Sequence, residues 1–272
     1  VMNTLYSPLA LTTEFKKHSA MEIYEMLSDS ENSLLRKKVM KYASENGLIY
    51  IKDTSGTNIN VQIIDTAKLP TKLLVEANDD KPVIIVMDYA FGEQAFETMD
   101  ELLKPYKISK KETQFLDVRS VSIMGKAGIL EGGKGDIMIP SSHVFEGTAD
   151  NYPFKNMLKK PHFEGEDVNV SKGAMITVLG TSLQNKDILK FFNNSTWNVV
   201  GLEMEGAHYQ KAIQSASKIR HSISSKVKVR YAYYASDNPL KTGGTLASGG
   251  LGTSGVKPTY LITEKMLNQI LE

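Results

Sequence analysis

Two short segments carry the side chains best suited to chemistry. Residues 201–207 read Gly-Leu-Glu-Met-Glu-Gly-Ala and place two carboxylates, Glu203 and Glu205, around Met204. Residues 235–240 read Ala-Ser-Asp-Asn-Pro-Leu and offer one carboxyl group, Asp237, beside Ser236. A carboxylate accepts hydrogen bonds from both hydroxyls of a vicinal diol such as that of a ribose. A methionine covers the apolar face of such a ring. A carboxyl group whose ionisation is disfavoured by burial donates a proton to a departing group. The two segments together hold the parts needed to grip a sugar and protonate what leaves it.

Both segments sit where a strand runs out. Val199–Leu202 and Val227–Ala235 are short apolar, β-branched or aromatic runs of strand character. Further strands are expected at Leu48–Ile51, Ile59–Ile64, Val83–Met87, Val118–Met124, Ile137–Ile139 and Met175–Leu179. Helices are expected at Glu93–Leu103, Asp187–Phe192, Met204–Ile219 and Tyr260–Leu271, and two more over residues 11–46. In these two, Leu11, Phe15, Ile23, Met26 and Leu27 recur at helical spacing. Ser30 or Asn32 caps the second, which stops at Gly47. Strands alternating with helices argue for a mainly parallel or mixed sheet with helices on both faces. In open sheets of this kind ligands gather at the carboxyl ends of strands.

Each signal has an ordinary explanation beside the chemical one. A carboxylate in a first helical turn is favoured by the helix dipole, so capping alone accounts for Glu203 and Glu205. Asp before Asn-Pro is a common turn. Gly125-Lys126-Ala127-Gly128 follows a predicted strand, and its backbone N–H groups either approach an anion or sugar or simply make a tight turn. Lys126 meets a phosphate or is solvated. Gly250 to Gly255 fits G-x-G-x-x-G but follows no predicted strand and leaves too little chain for a βαβ unit, so it does not read as a dinucleotide site. The whole stretch Thr242–Gly255 reads as a mobile loop. His143 and His162 match no metal-binding spacing and read as loop or surface residues. His208 reads as structural.

Composition narrows the classes. The 272 residues carry 32 basic and 31 acidic side chains, for a net charge of +1. That balance argues against a nucleic-acid-binding surface. There is no cysteine, which excludes disulfide frameworks, thiolate nucleophiles and cysteine-based zinc sites. No apolar run approaches membrane-spanning length. The first residues lack the pattern of a signal peptide, so a cytoplasmic protein is expected.

Taken in order, Gly125-Lys-Ala-Gly128 with Gly135-Asp136, then Glu203-Met-Glu205, then Ser236-Asp237, resemble the purine nucleoside phosphorylase and nucleosidase superfamily. Its members carry GTAGG…GD, (E/D)ME and SD segments in the same order, and the likeness runs from Val83 onward. Residues 180–185, Gly-Thr-Ser-Leu-Gln-Asn, are similar to the family's base-binding GDxFxN. Residues 236–240 are similar to the SDKPL of the AMP nucleosidases. The resemblance implies a three-layer αβα sandwich around a central mixed sheet over residues 47–272, with residues 1–46 as an N-terminal helical extension. It implies that Asp237 protonates N7 of a departing purine, that Glu205 grips the ribose hydroxyls with Met204 and Glu203 beside it, and that Leu183, Gln184 and Ser236 contact the base. Gly125, Lys126 and Ala127 would line an anion or sugar loop. It implies no metal and no organic cofactor, a small-molecule purine nucleoside or nucleotide as partner, and a homo-oligomer, dimeric or hexameric.

Departures from the pattern refine these expectations. Ile123 stands where the family's phosphorylases carry an arginine, and bidentate guanidinium contacts are the strong ones for phosphate. Hydrolysis is thereby favoured over phosphorolysis. Residues 87–92, Met-Asp-Tyr-Ala-Phe-Gly, replace a G-x-G turn, so that Tyr89 and Phe91 fill space glycines leave open. Glu93, the carboxylate that follows, is the candidate base for water. Leu183 lacks the π face of the usual aromatic. These departures also keep a third alternative, a nucleoside- or nucleotide-binding protein without chemistry.

Overall fold

The computed structural model describes residues 1–70, 81–148, 150–180, 185–242 and 255–272. Its elements in chain order are α1 (Met2–Ala10), α2 (Thr12–Phe15), α3 (Ala20–Ser28), α4 (Ser33–Glu45), β1 (Leu48–Ile51), β2 (Val61–Asp65), β3 (Val83–Met87), α5 (Gln94–Leu103), β4 (Tyr106–Lys107), β5 (Thr113–Gln114), β6 (Ser120–Ile129), β7 (Ile137–Phe145), β8 (Asn151–Pro153), β9 (Val170–Thr177), α6 (Lys186–Asn194), β10 (Val199–Glu203), α7 (Gly206–Gln214), β11 (Lys228–Asp237), α8 (Pro239–Thr242) and α9 (Val256–Leu271).

Three helices, not two, occupy residues 11–46, and a further one, α1, precedes them. Leu11 leaves the helical region at φ −118° and ψ 43°. Ser19 then opens α3 with a reciprocal capping box: its hydroxyl accepts from Glu22 N–H at 3.3 Å and its N–H donates to Glu22 Oε2 at 2.7 Å. The chain divides into two compact units, Val1–Tyr89 with Gly252–Glu272, and Ala90–Leu251. This division does not coincide with the boundary expected after residue 46. Leu5, Ile23 and Val39 of the helices share one core with Leu48 and Ile64 of the strands and Leu267 of α9. Within this first unit β1, β2 and β3 form an antiparallel sheet in that order.

The second unit holds the central sheet, ordered β11-β6-β10-β9-β7-β8. It is mixed: β11 with β6, β10 with β9 and β7 with β9 run parallel, while β10 with β6, β7 with β8 and β11 with β7 run antiparallel. The β11–β7 pairing, at Tyr233–Met138 and Tyr234–Ile137, closes five of the strands into a ring. Closure covers edges that would otherwise expose unpaired backbone groups.

Side-chain alternation places helices on both faces. Val144, Ala174, Ile176 and Val178 pack with Leu189 and Phe192 of α6. Their neighbours His143 and Thr177 point the other way, to the start of α7. A register shift between Val199 and Gly201 lets Val199 and Leu202 both join the α6 side and turns Glu203 toward Thr177.

Gly201 is required by space. A Cβ there would lie 2.4 Å from Met138 Sδ and 2.6 Å from the carbonyl oxygen of Gly128. The second neighbour is backbone and cannot yield. Gly201→Ala is expected to destabilise the protein by about 1–3 kcal/mol. Chemical denaturation measures it, and an unchanged midpoint would show that the strand relaxes freely.

Candidate active site

The site grows from one glycine of β6. Gly128 pairs with Leu202 of β10 on one side and with Asp237 of β11 on the other. Neighbouring strands lie about 4.8 Å apart, so the backbones of residues 202 and 237 are separated by roughly 10 Å, a span of nucleoside size. Met204 and Leu240 border the same apolar cluster, which ties the two segments together a second way. The segments that chemistry singled out are thus neighbours in the fold.

β11 ends in an irregularity: its register to β6 shifts between Ala235 and Asp237. Ser236 Oγ lies 3.0 Å from Asp237 Oδ1 and 3.2 Å from the carbonyl oxygen of Ala127. Asn238 anchors the turn. Its Nδ2 donates to the carbonyls of Leu130 and Gly132, and its Oδ1 accepts from Leu240 N–H at 3.0 Å, opening α8. Asp237 is 6% exposed, and its Oδ2 is buried without a partner among the described residues. Burial raises the pKa of this carboxyl, while the Ser236 hydroxyl and the charges of Lys134 and Lys126 oppose the rise. A buried carboxyl with one open oxygen and a raised affinity for its proton is suited to giving that proton away.

Glu203 is committed to the protein itself. Its Oε1 accepts from Thr177 Oγ1 at 2.5 Å. Its Oε2 accepts from Glu205 N–H at 2.6 Å and from Gly206 N–H. These are N–H groups of the start of α7, which have no partner within the helix. Thr177 Oγ1 in turn accepts from Ala207 N–H at 3.0 Å. Burial pushes Glu203 up to about 7, against the pull of these hydrogen bonds. Both of its oxygens are engaged in fixing the strand-to-helix turn.

Glu205 occupies the N-cap position of α7. Its Oε1 accepts from Gly92 N–H at 3.1 Å, and burial raises its pKa. Ala90 N–H donates to Tyr209 Oη at 3.1 Å, so residues 90–92 are pinned to α7 at two points. Gly92 takes φ +51°, a left-handed conformation that glycine adopts freely. Glu93 follows at the N-cap of α5 and is exposed. Phe91 is 80% exposed, so it does not fill the space that the glycines of a G-x-G turn leave open, contrary to expectation.

Two further expectations are corrected. Gly125, Lys126 and Ala127 are not a loop: they lie inside β6, paired with Tyr233, Tyr234 and Ala235. Glycine reads as a turn signal, but here the ladder to β11 runs through it. His143 is not a surface residue. It is fully buried on β7, its Nε2 lies 3.1 Å from Tyr233 Oη, and burial holds its pKa down to about 3. A Cβ on Gly206 would meet this ring at 2.4 Å. Pro140, Ser141 and Ser142 interrupt the apolar run just before it, so local pattern does not mark residue 143 as part of a strand. Arg230, 2% exposed on β11 and bonded to Ser122 Oγ at 3.4 Å, was also missed. Leu183, Gln184 and the stretch from residue 243 to 254 lie outside the described residues. Among the described residues no group of three His, Asp or Glu is placed to hold a metal ion. No helix among them is long and apolar enough to cross a membrane.

A family model matches residues 20–272, and its description is a family of unknown function, DUF6909. The chain belongs to DUF6909. A search of curated proteins finds no match to it. Solved structures do resemble this DUF6909 chain. A futalosine hydrolase mutant of Helicobacter pylori superposes with a TM-score of 0.55 at 12% identity, covering 82% of this chain and 90% of that one. A 5′-methylthioadenosine/S-adenosylhomocysteine nucleosidase of the same organism gives 0.54 at 14% identity, with coverage of 92% and 94%. The corresponding nucleosidase of Colwellia psychrerythraea, crystallised with adenine, gives 0.52 at 14% identity, with coverage of 85% and 90%. These neighbours belong to the nucleoside phosphorylase and nucleosidase superfamily. At such identities the likeness is one of fold: a mixed α/β architecture with a central mixed sheet, as expected.

Proposed function

We propose that this chain hydrolyses the N-glycosidic bond of a purine nucleoside or nucleotide, releasing the free base and ribose or ribose 5-phosphate. The observation that carries the reading is the register at Gly128, which brings the buried, half-satisfied carboxyl of Asp237 beside the segment leading to Glu205. In this reading Asp237 donates its proton to the leaving base as the C1′–N9 bond lengthens. Glu205 holds the ribose hydroxyls, and its negative charge stabilises the positive charge growing on the sugar. Met204 covers the ring. Glu203 acts at one remove by fixing the turn that aims Glu205. Ser236 holds the Asp237 carboxyl; the base contacts that the resemblance assigns to Leu183 and Gln184 fall outside the described residues.

Two facts favour water over phosphate as the nucleophile. Ile123, where the resemblance places a phosphate-binding arginine, is a buried aliphatic residue of β6. Arg119 is exposed and paired with Asp117 at 3.2 Å. The Ser-Asp-x-Pro-Leu segment favours AMP as substrate, and the structural neighbours add 5′-thioadenosines to the candidates. A homo-oligomer, dimeric or hexameric, is part of the same reading.

The test is release of free base from AMP, adenosine, inosine, guanosine and 5′-methylthioadenosine, with and without phosphate. The expected result is base release that needs no phosphate and yields a reducing sugar. Strict phosphate dependence with ribose 1-phosphate as product would replace hydrolysis by phosphorolysis. Purine-induced thermal stabilisation without any turnover would leave a binding protein.

A further inference from the structure

β11 pairs with β6 along one edge and with β7 along the other. β6 and β7 follow each other in the chain, so the segment that joins them, residues 130–136, crosses the end of β11. It crosses where the proposed acid sits, and it grips the chain on both sides of that residue. Before Asp237, Gly135 N–H donates to the carbonyl of Ala235 at 2.9 Å, and Ala235 N–H donates to the carbonyl of Asp136 at 2.8 Å. After it, Asn238 Nδ2 donates to the carbonyls of Leu130 and Gly132 at 3.2 and 3.3 Å. Lys241 Nζ of α8 reaches the same Gly132 carbonyl at 3.1 Å.

One side chain sets the shape of this strap. Asp136 Oδ2 accepts from Gly133 N–H at 2.8 Å. Asp136 N–H donates to the Gly133 carbonyl at 3.3 Å and closes a four-residue turn. Asp136 Oδ1 accepts from Asn169 Nδ2 at 3.2 Å. Asn169 is held in its turn, because its carbonyl accepts from Ile137 N–H at 2.8 Å. The carboxylate is closely seated: a Cβ on Gly132 would lie 2.6 Å from Asp136 Oδ2.

We propose that Asp136 is a positioning residue for Asp237: its carboxylate fixes the strap, and the strap fixes the turn that keeps the acid buried. This rests on the hydrolytic reading above. The proton still comes from Asp237, and a misplacement of about 1 Å costs on the order of 10²-fold in rate. The groups that bear on the Asp237 charge are Ser236 beside it, Lys126 of β6 and Lys134 of the strap itself, but burial is the largest influence. A loosened strap lets water reach the carboxyl, which favours its ionised form. The protonated acid is then lost at lower pH than in the parent.

The experiment measures kcat, KM and the pH profile of base release on the nucleoside or nucleotide that the parent cleaves fastest. The variants are Asp136→Ala, Asp136→Asn, Asn169→Asp, Asp237→Asn and the double variant Asp136→Ala with Asp237→Asn. Asp136→Ala is expected to lower kcat about 10- to 100-fold with KM within about threefold, and to move the alkaline limb of the profile to lower pH. Asp136→Asn is expected to recover most of the loss, since its oxygen still accepts from Gly133 N–H and its amide meets Asn169 once that amide turns over. In the Asp237→Asn background, Asp136→Ala is expected to cost less than about threefold more, because residues that act as a unit are not additive. Asn169→Asp, at an exposed position, sets a second carboxylate against the first and is expected to lower kcat about three- to tenfold with the same shift of the limb. A folded Asp136→Ala with the parent's kcat and pH profile, beside an impaired Asp237→Asn, would overturn the positioning role and leave the hydrolytic reading standing. Losses that multiply in the double variant would overturn it as well. Should Asp136→Ala fail to fold, an Asn169→Asp indistinguishable from the parent would do the same. A parent that releases no base, or a fully active Asp237→Asn, would overturn the hydrolytic reading and this proposal with it.

Discussion

Asp237→Asn is expected to fold normally and to release purine base about 10²- to 10⁴-fold more slowly than the parent, the range typical of removing a general acid. Asparagine keeps the shape of the side chain but has no acidic proton to give. The same substitution has a second expected effect, of opposite benefit. Burial raises the pKa of Asp237 in the folded protein. The native state then holds this proton more tightly than the unfolded chain, whose carboxyl titrates near the usual ~3.9. The contribution of Asp237 to stability is therefore fully present at low pH and falls as pH rises through that value toward the higher native one. Asparagine never ionises. The variant should match or exceed the parent in Tm at neutral pH, with a margin that grows as pH rises from about 4. Steady-state kinetics and calorimetry on one preparation check both halves. Full kcat would remove Asp237 from the chemistry, and a large fall in Tm would turn a kinetic loss into a folding defect.

Glu203→Ala is expected to be among the most damaging single changes to folding. It strips the acceptor from three buried donors at once: Thr177 Oγ1, Glu205 N–H and Gly206 N–H. Each unmet buried donor is worth about 1–3 kcal/mol, so a total of about 3–9 kcal/mol is expected. For a folded unit of this size that corresponds to a fall in Tm on the order of 10 °C. Glu203→Gln should be milder, since its amide oxygen still accepts from the helix start. The two also separate by pH. The native carboxyl titrates near 7, above the ordinary glutamate range, because burial penalises its charge. Its contribution is full below about 4.3 and is lost as pH rises through about 7. That slope should be present in the parent and absent in Glu203→Gln. Equal stabilities of parent and Glu203→Ala would mean that water reaches these donors, contrary to a 2% exposed side chain.

The parts of this architecture that local pattern specifies were legible. The strand expected at Val199–Leu202 runs one residue further, to Glu203, and the helix expected from Met204 starts at Gly206 with Glu205 as its N-cap. Asp237 was expected after a long strand and lies at its last residue. What failed was set by distant chain. Gly125 to Ala127 look like a turn until Tyr233 to Ala235 arrive to pair with them. The strand from Ile137 was read as three residues because Pro140 and two serines interrupt its apolar run, yet β9 pairs along its length to Phe145. Ring closure between β11 and β7 joins residues almost a hundred apart and leaves no local trace. The commitment of Glu203 to Thr177 was hidden for the same reason: only the parallel pairing of β9 with β10 sets hydroxyl beside carboxylate. Polarity marked these residues, and contact alone showed Glu203 bound into the turn.

The first compact unit is built from both ends of the chain. Tyr24 of α3 stacks on Tyr260 of α9 with ring centres 3.8 Å apart, and Asn3 Nδ2 donates to the Tyr260 hydroxyl at 2.8 Å. During synthesis the amino-terminal helices leave the ribosome long before α9 exists, and the segment from Ala90 to Leu251 emerges in between. The nucleosidase-like unit can thus complete its sheet first, while the apolar side of α3 waits for its cover. Premature termination between residue 251 and Val256 would release a molecule with a whole central sheet and an amino-terminal core lacking α9, a form open to chaperones and proteases rather than one merely shortened.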